Sequence, residues 1–189
     1  MAVDRETLLK AAYLGMGRVV ATAITPAQGD LFVALEELPP EARRYLQYDP
    51  KEARRRLAEA GYPSGIKVRL WNNRLYGVVF SAMAESLVDS FRAAGIAADI
   101  YSPEPTLFQD RWFRGEWDGL LLAWQTGPDP YQIVFDNYHS RGSRGGSSYR
   151  LQDLALDGMI DKLTITFVKD GQKRLARQLQ TYIVENVPT

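Results

Sequence analysis

The pattern of apolar and polar positions predicts helices and strands that alternate along most of the chain. Apolar residues at helical spacing predict six helices, at the start of the chain and around residues 49–61, 76–94, 106–115, 156–167 and 175–183. Alternating or continuous apolar runs predict three strands, over residues 66–71, 96–101 and 118–124. Because strands and helices follow each other in turn, the chain is expected to form an α/β fold with a small, mainly parallel sheet flanked by helices.

Two of the predicted helices carry local start signals. Asp49 can accept hydrogen bonds from free amides, Pro50 suits the first helical position, and Glu52 would complete a capping box. The run from Thr106 to Gln109 has the same capping-box pattern. Both signals predict where a helix begins.

Two stretches without a regular period predict loops. Prolines and glycines interrupt residues 17–48, which predicts a long irregular segment. Residues 140–148 are rich in glycine and serine and predict a flexible surface loop. The arginines of this loop are expected to be solvated rather than to bind RNA.

Composition excludes several classes of function. The 189 residues contain no cysteine and one histidine, His139, so we expect no metal site and no cofactor. The 23 basic and 23 acidic residues balance, which argues against a nucleic-acid partner. The length is compatible with a single domain over residues 1–189.

Aromatic and amide side chains follow two predicted strands. Ligands bind beyond the carboxyl ends of parallel strands, so both groups are expected to line one rim of the sheet. Such side chains suit the binding of a polar solute better than catalysis, and no catalytic residue is assigned. The candidate ligand-binding residues are Trp71, Asn72, Asn73, Trp124, Gln125, Thr126, Gly127, Asp129 and Tyr131. Two alternatives remain: the tryptophans fill the core, or the chain is a small α/β hydrolase or transferase that uses Asp129 or His139.

Several segments resemble one protein family. Residues 48–65, YDPKEARRRLAEAGYPSG, are very similar to the "YDPxxAxxLLxEAGYPxG" signature of family 5 extracellular solute-binding proteins. These are the oligopeptide, dipeptide and nickel type receptors of ABC importers. Val3 to Glu6 resembles the family's "AIDRE" segment, and Trp124 followed by Pro128-Asp129-Pro130 resembles its "GW…PDP" turn.

This resemblance implies a fold, a function and partners. The chain would be the second lobe of a type II-like, two-lobe periplasmic binding protein, located in the periplasm or on a lipid anchor. It would be non-enzymatic and would close with the other lobe around a peptide or a sugar-like solute, and the importer's permease would be its partner. An isolated lobe is expected to bind solute weakly and to self-associate through its interlobe face.

The resemblance also bears on single site residues. Peptide-binding members carry an aspartate shortly after the strand-end tryptophan, where it holds the ligand's ammonium group. Gly127 stands about where that aspartate belongs, and Asp129 is the candidate to replace it.

Overall fold

The computed structural model describes residues 1–123, 127 and 129–186, and the chain divides into two compact units. The sheet unit comprises Met1–Val19, Leu46–Trp112 and Glu116–Ala123. The helical unit comprises Val20–Tyr45, Phe113–Gly115 and Trp124–Thr189. That residues 1–189 act as one domain stays a prediction.

The predicted helices and strands occur in the expected order, together with two helices that were not predicted, at Pro40–Arg43 and Pro130–Tyr138. In chain order they are α1 (Arg5–Tyr13), α2 (Pro40–Arg43), α3 (Pro50–Glu59), β1 (Ile66–Asn72), α4 (Gly77–Ala93), β2 (Ile96–Tyr101), α5 (Pro105–Arg114), β3 (Leu120–Leu122), α6 (Pro130–Tyr138), α7 (Leu154–Thr164) and α8 (Lys169–Asn186). Short 3-10 turns lie at Pro26–Leu31, Leu35–Glu37 and Arg74–Tyr76.

The three strands form one parallel sheet, as predicted, and their order in it is β2-β1-β3. Leu70 pairs with Ile100 on one side and with Leu120 on the other. Gly119 permits the approach of β3, because a Cβ there would lie 2.3 Å from the carbonyl oxygen of Arg69. Its φ of 78° is also one that glycine adopts readily.

Alternation along β1 places successive side chains on opposite faces of the sheet. Leu70 packs with Ala84, Leu87 and Phe91 of α4. Trp71 packs on the other face, with two aromatic residues of α5, Phe108 and Trp112. The carboxyl end of β1 is therefore covered by helices on both faces.

The predicted start of α3 is correct, but its capping box is wrong. The Asp49 side chain accepts from the backbone N–H of Glu52 at 2.9 Å, as expected. The Glu52 carboxylate instead binds Arg55 and Arg56, because the backbone N–H of Asp49 already donates to the carbonyl of Met1. These two arginines hold the pKa of Glu52 at about 2.

At α5 the capping residue is Glu104 rather than Thr106. The Glu104 carboxylate accepts from the backbone N–H groups of Thr106, at 2.8 Å, and Leu107. A carboxylate at this position also interacts favourably with the helix dipole, which explains why it replaces the hydroxyl.

The helical unit has its own core, built mainly from α6, α7 and α8. Buried residues of this core include Ile133, Leu156, Ile160, Leu179 and Ile183. Helix α6 was not predicted, because the turn-forming residues before it obscured its start signal. Asp129-Pro130 repeats the Asp-Pro start of α3.

The glycine-rich loop after α6 is packed rather than solvated, which corrects the sequence expectation. Gly142, Gly145 and Ser148 are buried. The backbone N–H of Gly145 donates to the carbonyl of Asp136 at 2.9 Å. A Cβ at Gly146 would lie 1.8 Å from the carbonyl oxygen of Ser140, so the chain passes too close to itself for a side chain.

Candidate functional site

The predicted site residues fall into both units. In the helical unit, Asp129 is exposed and caps α6. Its Oδ1 accepts from the backbone N–H groups of Tyr131, at 2.8 Å, and Gln132, at 3.2 Å. The other oxygen, Oδ2, has no hydrogen-bond partner among the described residues. Asp129 thus offers a positioned carboxylate oxygen to solvent.

Tyr131 follows at the first turn of α6 and is half-buried against the helical core. Its hydroxyl accepts from Nε2 of Gln172 at 2.7 Å, and the same nitrogen donates to the carbonyl of Thr166 at 2.6 Å. Tyr131 is therefore held in place by α8. Sequence reasoning missed Gln172, and no motif distinguishes it from the other glutamines of the chain.

Gly127 lies half-buried before α6. Its carbonyl accepts from Nε2 of Gln28 at 3.4 Å. A Cβ at this position would lie 3.2 Å from Cγ1 of Ile133, so Gly127 lies close to the first turn of α6.

In the sheet unit, Trp71 is a core side chain with 5% of its surface exposed, which corrects the expectation that it faces out from the rim. Its ring packs edge-on against Tyr101 with centroids 4.8 Å apart. Its Nε1 donates to the carboxylate of Asp118 at 3.1 Å, and Asp118 also accepts from Arg69 at 2.9 Å. Contact of Trp71 with a solute stays a prediction.

Asn72, which ends β1, and Asn73, which follows it, are also buried, with 3% and 0% of their surfaces exposed. Asn73 Oδ1 accepts from the backbone N–H of Leu75 at 3.0 Å, which orients the amide. Among the residues that the structure describes, Asn72 Oδ1 and Asn73 Nδ2 have no hydrogen-bond partner. An unpaired buried polar atom costs about 1–3 kcal/mol of folding free energy. A polar partner for these two amide atoms would therefore be stabilising, and the described residues do not supply one.

Three predicted residues, Trp124, Gln125 and Thr126, lie outside the described residues. The strand that precedes them does lie where it was expected. Asn72 of β1 pairs in register with Leu122 of β3, so the two strands end at the same edge of the sheet.

His139, the alternative catalytic residue, is 1% exposed and stacks on Phe135 with ring centroids 4.5 Å apart. Its Nδ1 lies 3.0 Å from the backbone N–H donor of Arg141. Its Nε2 faces Asp161 Oδ1 at 3.4 Å. Through these contacts the ring ties the glycine-rich loop to α7.

Comparison with known proteins extends over the whole chain. The family model "Bacterial extracellular solute-binding proteins, family 5 Middle" matches residues 1–145. A "Dipeptide-binding protein" of Pseudomonas aeruginosa is 28% identical over 193 residues, which cover 100% of this chain and 34% of that protein. The chain thus spans about a third of the length of the curated relatives it matches.

Solved structures match over a similar range. The crystal structure of a dipeptide-binding protein from Pseudoalteromonas sp. SM9913, in complex with Met-Leu, has a TM-score of 0.79 and 25% identity. The match covers 99% of this chain and 36% of that one. The protein AgaA from A. tumefaciens R10, in complex with agropinic acid, also has a TM-score of 0.79, at 21% identity, and covers 97% of this chain and 36% of that one. Such two-lobe binding proteins share the parallel sheet and flanking helices.

Proposed function

Because the chain belongs to the bacterial extracellular solute-binding proteins of family 5, we propose that it is part of an ABC-importer receptor that binds a short peptide or a similar small polar solute. The observation that carries this proposal is the similarity, along the entire chain, to proteins named for di- and tripeptide binding. A neighbour bound to agropinic acid supports keeping sugar-like solutes in the same proposal.

The solute's ammonium group is proposed to bind Asp129. This side chain is exposed, and α6 holds its Oδ1 through two backbone N–H groups. Oδ2 is left to accept a charge-assisted hydrogen bond, which is stronger than a neutral one. Gly127 itself has no side chain with which to bind the ligand.

The test replaces Asp129 with asparagine and compares two ligands. Asparagine caps a helix as well as aspartate does, so α6 should remain folded while the negative charge is lost. We expect Asp129→Asn to weaken binding of Met-Leu about tenfold or more, because a hydrogen bond to a charged group contributes about 1.5–3 kcal/mol. N-acetyl-Met-Leu, which has no ammonium group, should bind both proteins equally. NMR titration at millimolar ligand gives the two dissociation constants.

Asp153 provides the matched control. It caps α7 as Asp129 caps α6, accepting from the backbone N–H groups of Ala155 and Leu156 at 3.0 Å each. Asp153→Asn should leave the affinity for both ligands unchanged. Equal weakening by the two substitutions, or no effect of Asp129→Asn on Met-Leu, would contradict the assignment of Asp129. If the protein bound no peptide and no sugar-like solute, the proposed function itself would be contradicted.

The binding mechanism we propose is closure of two lobes around the solute, with residues 1–189 acting as one of them. A solute that contacts both lobes favours the closed state, because the open state offers only part of the contacts. This chain alone should therefore bind more weakly than a receptor of the relatives' length. Calorimetry that gave equal affinities for the two would contradict this mechanism.

We also propose a partner and a location for the receptor, on the basis of its family. We place the receptor outside the cytoplasmic membrane, in the periplasm or on a lipid anchor, where the importer's permease would receive it. Among the described residues, no helix is long and apolar enough to cross a bilayer. Self-association of this chain through its interlobe face remains a prediction that light scattering can test.

A non-enzymatic role is part of the same proposal. Both residues of the enzyme alternative already make structural hydrogen bonds: Asp129 caps α6, and Nδ1 of His139 accepts from Arg141. Hydrolysis of ester, phosphate or glycoside substrates that disappears in Asp129→Ala would contradict this role.

A further inference from the structure

The connection between α7 and α8 presents three large apolar side chains to solvent. Ile165, Phe167 and Val168 are 71%, 87% and 71% exposed, and together they form what we call the apolar tip. A contiguous apolar group of this kind on a soluble surface marks an interaction site more often than a scattered apolar residue does.

Hydrogen bonds hold the apolar tip in its exposed arrangement. The Thr166 hydroxyl donates to the carbonyl of Lys162 at 2.6 Å. Nε2 of Gln172 donates to the Thr166 carbonyl at 2.6 Å, and the Gln172 backbone N–H donates to the Val168 carbonyl at 2.9 Å. Because the connection is fixed at Thr166 and Val168, its apolar side chains do not fold back onto the helices.

Basic residues flank the apolar tip. Lys162 precedes it and Lys169 follows it, both exposed, and Arg174 lies further along α8. Lys173 is paired with Asp30 at 3.1 Å, and Asp161 faces His139 and Arg141. Asp170 is then the acidic residue beside the tip. The neighbourhood therefore carries net positive charge.

We propose that the apolar tip docks on the surface of a bilayer that contains anionic lipids. Apolar side chains can enter the boundary between headgroups and acyl chains while the adjacent lysines attract the negative headgroups. A second copy of the chain is a poorer occupant, since three side chains at a single helix connection bury far less than the roughly 800 Å² per partner of a stable interface. This docking does not depend on the solute.

Vesicle flotation tests the proposal with the chain itself. We expect the wild-type chain to float with vesicles of three parts phosphatidylcholine to one part phosphatidylglycerol, and to float much less with phosphatidylcholine alone. The double variant Phe167→Ser, Val168→Ser should lower the partition coefficient about tenfold or more, because it removes most of the apolar contact. Lys162→Gln should lower it about fivefold on anionic vesicles only.

Leu154 supplies a matched control. It begins α7, the other end of that helix from the apolar tip, and is 88% exposed. Leu154→Ser also removes a large exposed apolar side chain, but one away from the apolar tip, and should leave partitioning unchanged. Absence of wild-type flotation, an equal loss in Leu154→Ser, or equal binding to neutral vesicles would overturn the proposal. A wild-type dimer that Phe167→Ser converts to monomer would overturn it in favour of a second copy.

Discussion

At the scale of single residues, two buried polar side chains of the helical unit form hydrogen bonds with backbone groups. Tyr138 is 5% exposed, and its hydroxyl accepts from the backbone N–H of Ala23 at 3.1 Å. Gln180, 1% exposed, donates to the carbonyl of Leu31 at 2.8 Å. These two side chains tie the irregular segment after residue 20 to the helices, although nothing in its sequence pattern predicted such anchors.

Removing the Tyr138 hydroxyl should destabilise the protein. Tyr138→Phe leaves the buried N–H of Ala23 without an acceptor, which costs about 1–3 kcal/mol of unfolding free energy. Tyr62→Phe, at a residue that is 53% exposed, should cost nothing measurable and serves as the control. Urea denaturation measures both. Equal stability of Tyr138→Phe and wild type would contradict the anchoring role.

Alkaline pH should remove part of the stability in wild type but not in Tyr138→Phe. Burial raises the pKa of Tyr138 to about 12 from the ordinary 10.0. The folded state therefore holds this proton more tightly than the unfolded state, so its contribution is fully present below about pH 10 and is lost as pH rises to about 12. Denaturation between pH 9 and 12 should show a steeper decline in wild type. Parallel declines in the two proteins would contradict this linkage.

At the scale of elements, the sequence predicted features that depend on neighbouring residues. It did not predict features that depend on tertiary contacts. Alternation predicted β1 and its parallel partners, and Asp49-Pro50 predicted the start of α3. The Glu52 capping box does not form, because the backbone N–H of Asp49 donates to the carbonyl of Met1, a residue distant in sequence. The burial of Trp71 likewise depends on α5, whose packing the strand pattern does not encode.

The glycine-rich loop after α6 should tolerate no side chain at Gly146. Its Cβ would lie 1.8 Å from the Ser140 carbonyl, so Gly146→Ala should cost about 1–3 kcal/mol through forced backbone movement. Gly158→Ala is the matched change, since Gly158 lies within α7 with no atom within 4 Å of its Cβ position. That variant should gain about 0.5–1 kcal/mol. Thermal unfolding of both variants measures these changes, and a Gly146→Ala protein as stable as wild type would refute the close packing.

At the scale of the whole molecule, the chain has the fold of its family but about a third of its relatives' length. The fold class and family were predictable, because the signature at residues 48–65 is specific and the parallel order follows from alternating elements. The site was predictable only in part. Asp129 lies exposed at the start of α6, whereas Asn72 and Asn73 are buried, each with an amide atom that no described residue binds.

Whether this chain takes part in binding a small polar solute is decided by mapping where a dipeptide binds. The measurement is a two-dimensional ¹H–¹⁵N NMR titration of the chain with Met-Leu. We predict saturable shifts of the backbone amides of Asp129 and Tyr131, and separate shifts at Asn72 and Asn73 would support the prediction for the strand end. No saturable shift, or shifts confined to residues outside these two segments, would contradict the account.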